Sequence, residues 1–408
     1  MTAIWAQAAL VFGLALIASL IAHRYRLSTA LVEIIVGILA RAALAATVGA
    51  EVFGVQEPWV KTLAGIGAIM LTFLAGAELD PDVFRLKWKE SAAIGVASFL
   101  IPSVGCWAGA HYLLGWESSP ALLAGIALAA TSVAVVYTVM MEYGFNRVEY
   151  GKTILAACFI TDLGTVVTLG LVFSPFTWKT LLFVALLVAA FVGLPRLAPR
   201  LFALFGGRPS EFEAKFLLFA LMALGALAVW AGSEAVLPAY VIGMALAGSV
   251  GRDAALIRRL RTITIGLLTP FYFLRAGYFV SIPTVIAAPL GVIVLIAVEI
   301  FTKIVSVYPV ARAFKAPHKD AMYTTLLMAS GLTFGTISAL FGLSNGIISE
   351  SQYSTLVAAI IGTAVIPTLV ANKFYLPRYL LPQEETTLAE PIRNAEIEES
   401  LDDSEVRS

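Results

Sequence analysis

Long apolar runs recur along almost the whole chain, and short polar segments separate them. A helix needs about 20 apolar residues to cross a hydrocarbon core of about 30 Å, and most of these runs have that length. The ten-residue alternating segments of an outer-membrane barrel do not occur. The pattern therefore predicts about 13 transmembrane helices, near residues 3–22, 27–48, 59–79, 91–114, 120–143, 150–173, 178–194, 212–232, 236–250, 262–280, 283–311, 321–341 and 353–373.

Composition agrees with this pattern as far as about residue 382. The chain is 60% hydrophobic and 13% charged, with a mean hydropathy of +0.89, whereas about a quarter of the residues of a soluble domain are charged. The segment 383–408 differs, because nine acidic residues and two arginines make it too polar to pack. We therefore predict an all-α polytopic membrane domain over 1–382 and an acidic, disordered cytoplasmic tail over 383–408.

Positive residues are distributed unevenly between the two sides of the predicted helices. If the N-terminus is outside, 20 of the 27 lysines and arginines fall in cytoplasmic loops and helix ends, and only Arg41, Lys61 and Lys179 fall on the external side. Cytoplasmic loops of membrane proteins carry this excess of positive charge. We therefore expect an odd number of spans, with the N-terminus outside and the C-terminus in the cytoplasm.

Two of the predicted helices contain a polar, small-residue interruption near the middle. The fifth contains "LAATSVAVVY" (128–137), with Thr131 and Ser132, and the twelfth contains "MASGLTFGTISALFG" (328–342). Helices 1–6 and 8–13 correspond as inverted repeats if helix 7 is an odd linker, and paired interruptions of this kind indicate a transporter's binding site. Alternatively, the hydroxyls bond back to the preceding turn and the glycines allow close packing.

Asp162 is the only formally charged residue between positions 153 and 178. Thr161, Thr165 and Thr168 lie beside it at helical spacing, so one side of this helix is polar and faces protein or water. A carboxylate at this depth costs several kcal/mol and usually serves a function. Removal from water favours its neutral form, so it can hold either a proton or a dehydrated cation, and the nearby hydroxyls of Thr131, Ser132 and Thr161 could complete a set of oxygen ligands.

Lys303 is a second ionisable residue inside a predicted helix, and Glu299 precedes it by four residues. Glu followed by Lys at this spacing is the favoured ion pair on one helix, so the two charges could neutralise each other. Alternatively, the ammonium lies near Asp162 and supports an ion site there. The sequence leaves both interpretations open.

Several other classes of protein lack support. "GLSNG" (342–346) matches a nucleophile elbow, but all three histidines precede it and no strand is expected before it. Neither HExxH nor a phosphate-binding glycine loop occurs, and no filter such as TVGYG is present. An enzyme is therefore not expected.

The chain resembles bacterial members of the monovalent cation–proton antiporter superfamily, near its sodium–proton and potassium-efflux branches. The segments that carry this resemblance are "LSTALVEIIVGILA" (27–40), "LAGIGAIMLTFLAGAELD" (63–80), "AATSVAVVY" (129–137), "ACFITDLGTVVTL" (157–169) and "EIFTKIVSVYPVAR" (299–312).

The resemblance implies a homodimer with a dimerisation part, about 1–88 and 212–281, and a moving core, about 89–173 and 283–376, in which the two broken helices cross. It also implies that Asp162 binds the ion, that Thr131 and Ser132 form the unwound helix, and that Lys303 is a core lysine. Thr161 departs from the family, whose electrogenic members have an acid before the aspartate and whose electroneutral members usually have asparagine.

These observations predict a secondary active antiporter that exchanges Na⁺, or K⁺ or Li⁺, for H⁺ by alternating access of a core carrying Asp162. A single titrating carboxylate predicts electroneutral 1:1 exchange. The expected partners are the cation, the proton, the bilayer of a bacterial inner membrane and a second copy of the chain, without a cofactor or nucleic acid. The alternative is a proton-coupled symporter or a channel for a small solute or ion.

Overall fold

The computed structural model describes residues 2–25, 27–47, 53–77, 87–145, 148–173, 177–206, 211–233 and 235–380, and the predicted acidic tail lies outside these residues. The described chain is helical almost throughout and contains no strand, which confirms the predicted all-α class. The helices are α1 Thr2–Tyr25, α2 Thr29–Thr47, α3 Pro58–Ala77, α4 Trp88–Ala108, α5 Ser118–Ala129, α6 Val133–Glu142, α7 Glu149–Phe173, α8 Trp178–Phe205, α9 Phe212–Trp230, α10 Val236–Leu246, α11 Ala254–Ile263, α12 Thr269–Tyr278, α13 Ile282–Ala287, α14 Pro289–Ala313, α15 His318–Met328, α16 Thr333–Ser344 and α17 Glu350–Val370.

Wider π-helical turns extend three of these helices. Gly109–Leu113 follows α4, Thr264–Leu268 joins α11 to α12, and Ala371–Tyr375 follows α17 before a 3₁₀ turn at Arg378–Leu380. Ten helical stretches within the described ranges are long and apolar enough to cross a membrane, so the chain is a multi-pass membrane protein. The fifth, ninth and tenth predicted spans are not among them, and the count of 13 stays a prediction.

Two predicted spans have different bounds in the structure. The span expected over 283–311 is a short helix, α13, followed by a separate long helix, α14. Pro289 begins α14 because proline has no N–H to donate within a helix and fits the first helical turn. The span expected over 178–194 continues to Phe205 and contains Pro195 and Pro199.

The helices pack into two groups, which we call group A and group B. Group A consists of α1–α3 and α9–α12, and group B consists of α4–α7 and α13–α17, while α8 packs against α9 and α10. The main helix contact between the groups is that of α7 with α10. Which group forms a dimer and which one moves stays a prediction, because packing alone does not show it.

Close backbone contact holds α3 against α10 inside group A. A Cβ atom on Gly76 would lie 2.5 Å from the Tyr240 carbonyl oxygen, and one on Gly243 would lie 2.3 Å from the Phe73 carbonyl oxygen. Only glycine fits at such distances. Small residues give membrane helices their attraction by letting backbones approach, because lipid provides no hydrophobic driving force between helices.

Group B contains both interrupted helices, so the predicted interruptions are confirmed. The backbone leaves the helical form at 130–132 between α5 and α6, and at 329–332 between α15 and α16. In each half of group B a long helix, an interrupted helix and another long helix follow one another. The side chains at both breaks are buried.

The end of the described chain is attached to the beginning of α15. The Tyr379 hydroxyl donates a hydrogen bond to the Asp320 carboxylate, and the Tyr150 hydroxyl of α7 donates to the Asp320 carbonyl at 2.9 Å. Partial burial and the bond to Asp320 raise the pKa of Tyr379 to about 12. The phenol therefore remains a donor at neutral pH.

We expect Gly76→Ala to lower the thermal stability of the detergent-solubilised protein. The added methyl group meets the Tyr240 carbonyl, and such overpacking costs about 1–3 kcal/mol. The matched control is Gly65→Ala on the same helix, where a Cβ would meet nothing within 4 Å. Equal melting temperatures for the two variants would contradict close α3–α10 packing.

Candidate ion-binding site

Asp162 lies near the middle of α7 and is 1% exposed. Neither carboxylate oxygen has a hydrogen-bond partner among the described residues. A buried carboxylate without donors is strongly unfavourable unless it is protonated or bound to a cation. The environment of Asp162 therefore suits exchange of one positive ion for another.

The hydroxyls beside Asp162 on α7 are engaged by their own helix. Thr161 Oγ1 donates to the Cys158 carbonyl at 2.7 Å, and Thr165 Oγ1 donates to the Thr161 carbonyl at 2.9 Å. These hydroxyls consequently have no hydrogen left to donate to Asp162. The lone pairs of their oxygens can still accept a hydrogen bond or bind a cation.

Thr131 and Ser132 connect the two helix breaks. The Ser132 N–H donates to the Ser330 carbonyl at 2.7 Å, and its hydroxyl lies 3.1 Å from the Thr333 hydroxyl. Thr131 Oγ1 donates to the Met328 carbonyl at 2.7 Å. Each break thus satisfies backbone groups that the other one leaves without helical partners.

Lys303 of α14 holds the end of α5. Its buried Nζ donates to the Ala129 carbonyl at 2.8 Å, to Ser98 Oγ at 2.9 Å and to Thr131 Oγ1 at 3.2 Å. Ala129 is the last residue of α5, where carbonyls lack helical partners and the helix dipole attracts a positive charge. An ammonium is well suited to this position.

The ion pair of Glu299 with Lys303 that the sequence suggested is not formed. Within the described ranges, Lys303 has no carboxylate oxygen within salt-bridge distance, although Glu299 and Asp162 both act on it electrostatically. The side chain reaches across to the end of α5 instead, because the Ala129 carbonyl, the Thr131 hydroxyl and the Ser98 hydroxyl of α4 together accept its three N–H groups. Glu299 is fully buried, and in the described part of the chain neither of its oxygens has a hydrogen-bond partner.

Sequence reasoning missed Tyr240, which crosses from group A to group B. Its hydroxyl donates to the Phe159 carbonyl of α7 at 2.7 Å, less than one helical turn before Asp162, and its ring meets the Phe334 ring of α16 edge-on at 5.6 Å. A second tyrosine crosses in the other direction, since Tyr353 of α17 donates to the Ala276 carbonyl of α12 at 2.8 Å. A hydroxyl inside an apolar run needs a partner, which is the signal that could have identified both.

Two further polar residues inside predicted spans also escaped notice. Ser98 accepts a hydrogen bond from Lys303. Glu33 on α2 is a buried acid that is 2% exposed. Across the same ranges no cluster of His, Cys, Asp and Glu side chains could hold a metal by itself.

A cleft of about 590 Å³ lies between the two groups. The first two helices of group A border it on one side and α6 on the other; its lining residues are Ser19, Ala22, His23, Arg24, Leu27, Thr29 and Thr138. The cleft lies beside the α1–α2 connection, and the predicted orientation of the chain would place this connection on the cytoplasmic side.

Comparison with known proteins assigns a family to this fold and site. The family described as "Sodium/hydrogen exchanger, transmembrane" matches residues 12–372. The chain therefore belongs to the transmembrane sodium/hydrogen exchanger family, a family of transporters.

The individual relatives have low sequence identity to this chain, but the matches cover most of its length. The chain is 26% identical over 347 residues to probable Na⁺/H⁺ antiporter 3 of Methanocaldococcus jannaschii, which covers 81% of this chain and 87% of that protein. It is 22% identical over 346 residues to the Na⁺/H⁺-K⁺ antiporter GerN of Bacillus cereus, with the same two coverages. It is 27% identical over 297 residues to the glutathione-regulated potassium-efflux protein KefC of Cronobacter sakazakii, covering 68% of this chain and 46% of KefC.

A solved structure has the same fold. The sodium proton antiporter MjNhaP1 of Methanocaldococcus jannaschii at pH 8 superposes with a TM-score of 0.67 at 16% identity, covering 91% of this chain and 96% of that chain. This likeness supports the arrangement of the helices, and at this identity it says nothing about which residues bind an ion.

We expect Lys303→Met to destabilise the protein. The substitution leaves the Ala129 carbonyl buried without a donor, and an unsatisfied buried group costs about 1–3 kcal/mol. Thermal unfolding in detergent measures the loss, with Lys319→Met at an exposed position as the control. A melting temperature equal to that of the wild type would show that Lys303 does not hold the end of α5.

We expect Tyr240→Phe to loosen the contact between the groups while keeping the ring contact with Phe334. A typical hydrogen bond contributes about 1 kcal/mol, so the open population should rise about fivefold. The measurement is the rate at which a small thiol reagent labels the buried Cys158, in a Cys106→Ser background and with Tyr112→Phe, at an exposed position, as the control. An unchanged labelling rate would show that this hydrogen bond does not hold group A against group B.

Proposed function

We propose that this protein is an antiporter that exchanges a monovalent cation for protons across a membrane, with Asp162 binding each ion in turn. The observation that carries this proposal is a buried carboxylate without any described polar partner, in a chain of the sodium/hydrogen exchanger family. The names of the relatives agree with it, since they include Na⁺/H⁺ and K⁺ antiporters.

Competition for Asp162 provides the coupling. A proton and a dehydrated cation each neutralise the buried carboxylate, whereas the empty carboxylate is too costly to move through a dry interior. Hard monovalent cations prefer oxygen ligands, and Thr161, Thr131 and Ser132 are the candidate donors besides Asp162 itself. No external energy source is needed, because one ion gradient drives the other.

Lys303 takes part in this competition through Thr131. In the described conformation Thr131 Oγ1 accepts a hydrogen bond from Lys303 and donates one to the Met328 carbonyl. A cation that uses this oxygen would approach the ammonium closely, and like charges repel strongly where the dielectric constant is low. Cation binding through Thr131 therefore requires Lys303 to withdraw.

Alternating access would come from movement of group B relative to group A along the contact between them. The Tyr240–Phe159 and Tyr353–Ala276 hydrogen bonds hold group B against group A in the described conformation, and a cleft lies between the groups beside α6. Movement of group B would break these contacts and expose Asp162 to the other side.

A symporter for an organic solute is less well supported. Such a protein needs recognition groups around its substrate, whereas the hydroxyls next to Asp162 bond to their own helix. A channel is also disfavoured, because a hydrogen bond joins the two helix breaks directly to each other. The names of the relatives agree with Na⁺ or K⁺ as the transported cation, and Li⁺ stays an alternative expected from the sequence alone.

The remaining sequence expectations complete the proposal. We infer a homodimer formed by the dimerisation part, residues 1–88 and 212–281, and a core at 89–173 and 283–376 that moves. The protein lies in a bacterial inner membrane with its N-terminus outside and its C-terminus in the cytoplasm. It works without a cofactor other than the transported ions.

We expect Asp162→Asn to abolish cation-dependent proton movement in proteoliposomes loaded with a pH dye. The amide keeps the shape of the side chain but neither binds a proton in this pH range nor attracts a cation, so folding and oligomeric state should remain normal. Asp253→Asn is the matched control, because Asp253 caps α11 at an exposed position and asparagine caps helices equally well. Wild-type exchange in Asp162→Asn vesicles would contradict the proposed function.

A further inference from the structure

Glu299 is the second buried acid of group B whose position suits a proton-binding role. It lies on α14, is 0% exposed, and has no hydrogen-bond partner on either oxygen among the described residues. Lys303 follows it by one helical turn, but its three N–H groups are directed to Ser98, Ala129 and Thr131. The nearest available cation is therefore occupied elsewhere.

Among the described residues, the other helices around α14 place no charged partner and no hydrogen-bond donor on the Glu299 oxygens. On α4, Cys106 is a buried neutral thiol that interacts with Glu299. On α17, Thr363 faces Glu299, but its hydroxyl donates to the Ile360 carbonyl at 3.0 Å. On α14 itself, Thr302 donates to backbone carbonyls, and α13, α15 and the turn after α4 contribute no described ionisable group that acts on Glu299.

These surroundings favour the neutral acid. An ionised Glu299 would have no hydrogen-bond donor and no paired cation, and a buried charge in that situation takes up a proton instead. A protonated carboxyl has a hydrogen to donate, and a Thr363 oxygen whose own hydrogen is engaged can only accept one. Glu299 therefore carries a proton in the conformation described.

We propose that Glu299 is a second proton-binding residue of this antiporter, and that it releases its proton when Lys303 leaves the end of α5. This inference rests on the proposed function. A cation at Asp162 that uses Thr131 displaces the ammonium, which then turns toward Glu299, its favoured partner one turn earlier on the same helix. Glu299 gives its proton to the water that enters with the cation and becomes a carboxylate paired with Lys303.

This sequence of events changes the number of protons exchanged. In the proton-loaded state Asp162 and Glu299 are neutral and only Lys303 is charged. In the cation-loaded state the charges of the cation and Lys303 are balanced by two carboxylates. Two protons leave for each cation that binds, so exchange carries a net charge, in contrast to the 1:1 exchange expected from Asp162 alone.

The test is whether exchange carries a current in the wild type and in Glu299→Gln. Currents are recorded from proteoliposomes on a solid-supported membrane after a jump in Na⁺ or K⁺ concentration, and proton movement is followed in parallel with a pH dye. Wild-type protein should give a current together with proton movement. Glu299→Gln should keep cation-dependent proton movement and lose the current, because the amide holds no exchangeable proton.

Binding measurements give a second readout that does not require turnover. The logarithm of cation affinity should rise with pH with a slope of about two in the wild type and about one in Glu299→Gln, since the slope counts the protons released. Glu299→Asp, which keeps an acid, should retain the current and the steeper slope. Glu33→Gln changes a buried glutamate of group A, and Cys106→Ser changes the neighbouring thiol; neither should alter the slope.

The proposal is overturned by wild-type exchange without current, by a wild-type slope of about one, or by a current that survives in Glu299→Gln. If Glu299→Gln does not fold, the wild-type slope and the Glu299→Asp current decide the question. Failure of the proposed function looks different: the wild type would then show no cation-dependent proton movement, or Asp162→Asn would retain it.

Discussion

Backbone groups released by a helix break inside a membrane protein cannot turn to water and must find partners in the protein. Here they find them in each other: the Ser132 N–H meets the Ser330 carbonyl, and Thr131 meets the Met328 carbonyl. The Ala129 carbonyl at the end of α5 meets Lys303. These hydrogen bonds join the two breaks at the centre of group B, and each break supplies partners to the other.

Asp162 and Glu299 have no hydrogen-bond partners in the described part of the chain because the nearby donors are bonded to other groups. Hydroxyls that could have donated to Asp162 donate to the backbone of α7, and the ammonium that could have neutralised Glu299 is held by α5. Both carboxyl groups are thus left without a hydrogen-bond donor among the described residues. Each acid can therefore take up a positive ion because the neighbouring donors are hydrogen-bonded to backbone carbonyls instead.

The sequence was sufficient for features that depend on local composition. Apolar length predicted the membrane helices, Thr131 and Ser132 with the glycines after Met328 predicted the two breaks, and the absence of other charges nearby predicted a buried Asp162. Proline at position 289 divides the eleventh predicted span, and this effect of proline could also have been anticipated. Features that depend on distance through space were not accessible: the reach of Lys303 to α5, the resulting isolation of Glu299, and the contact of Tyr240 with α7 all join residues far apart in the chain.

The attachment of the chain's C-terminal end has a mechanical consequence. Tyr379 is bonded to Asp320 in the first turn of α15, and Tyr150 links the same residue to α7, which carries Asp162. A force applied at Leu380 therefore acts on α17 through the chain and on the interrupted helix α15 through Tyr379, and both helices belong to group B. A tether, label or support fixed to this end of the chain consequently holds group B, whereas one fixed to α1 holds group A and leaves group B free to be observed.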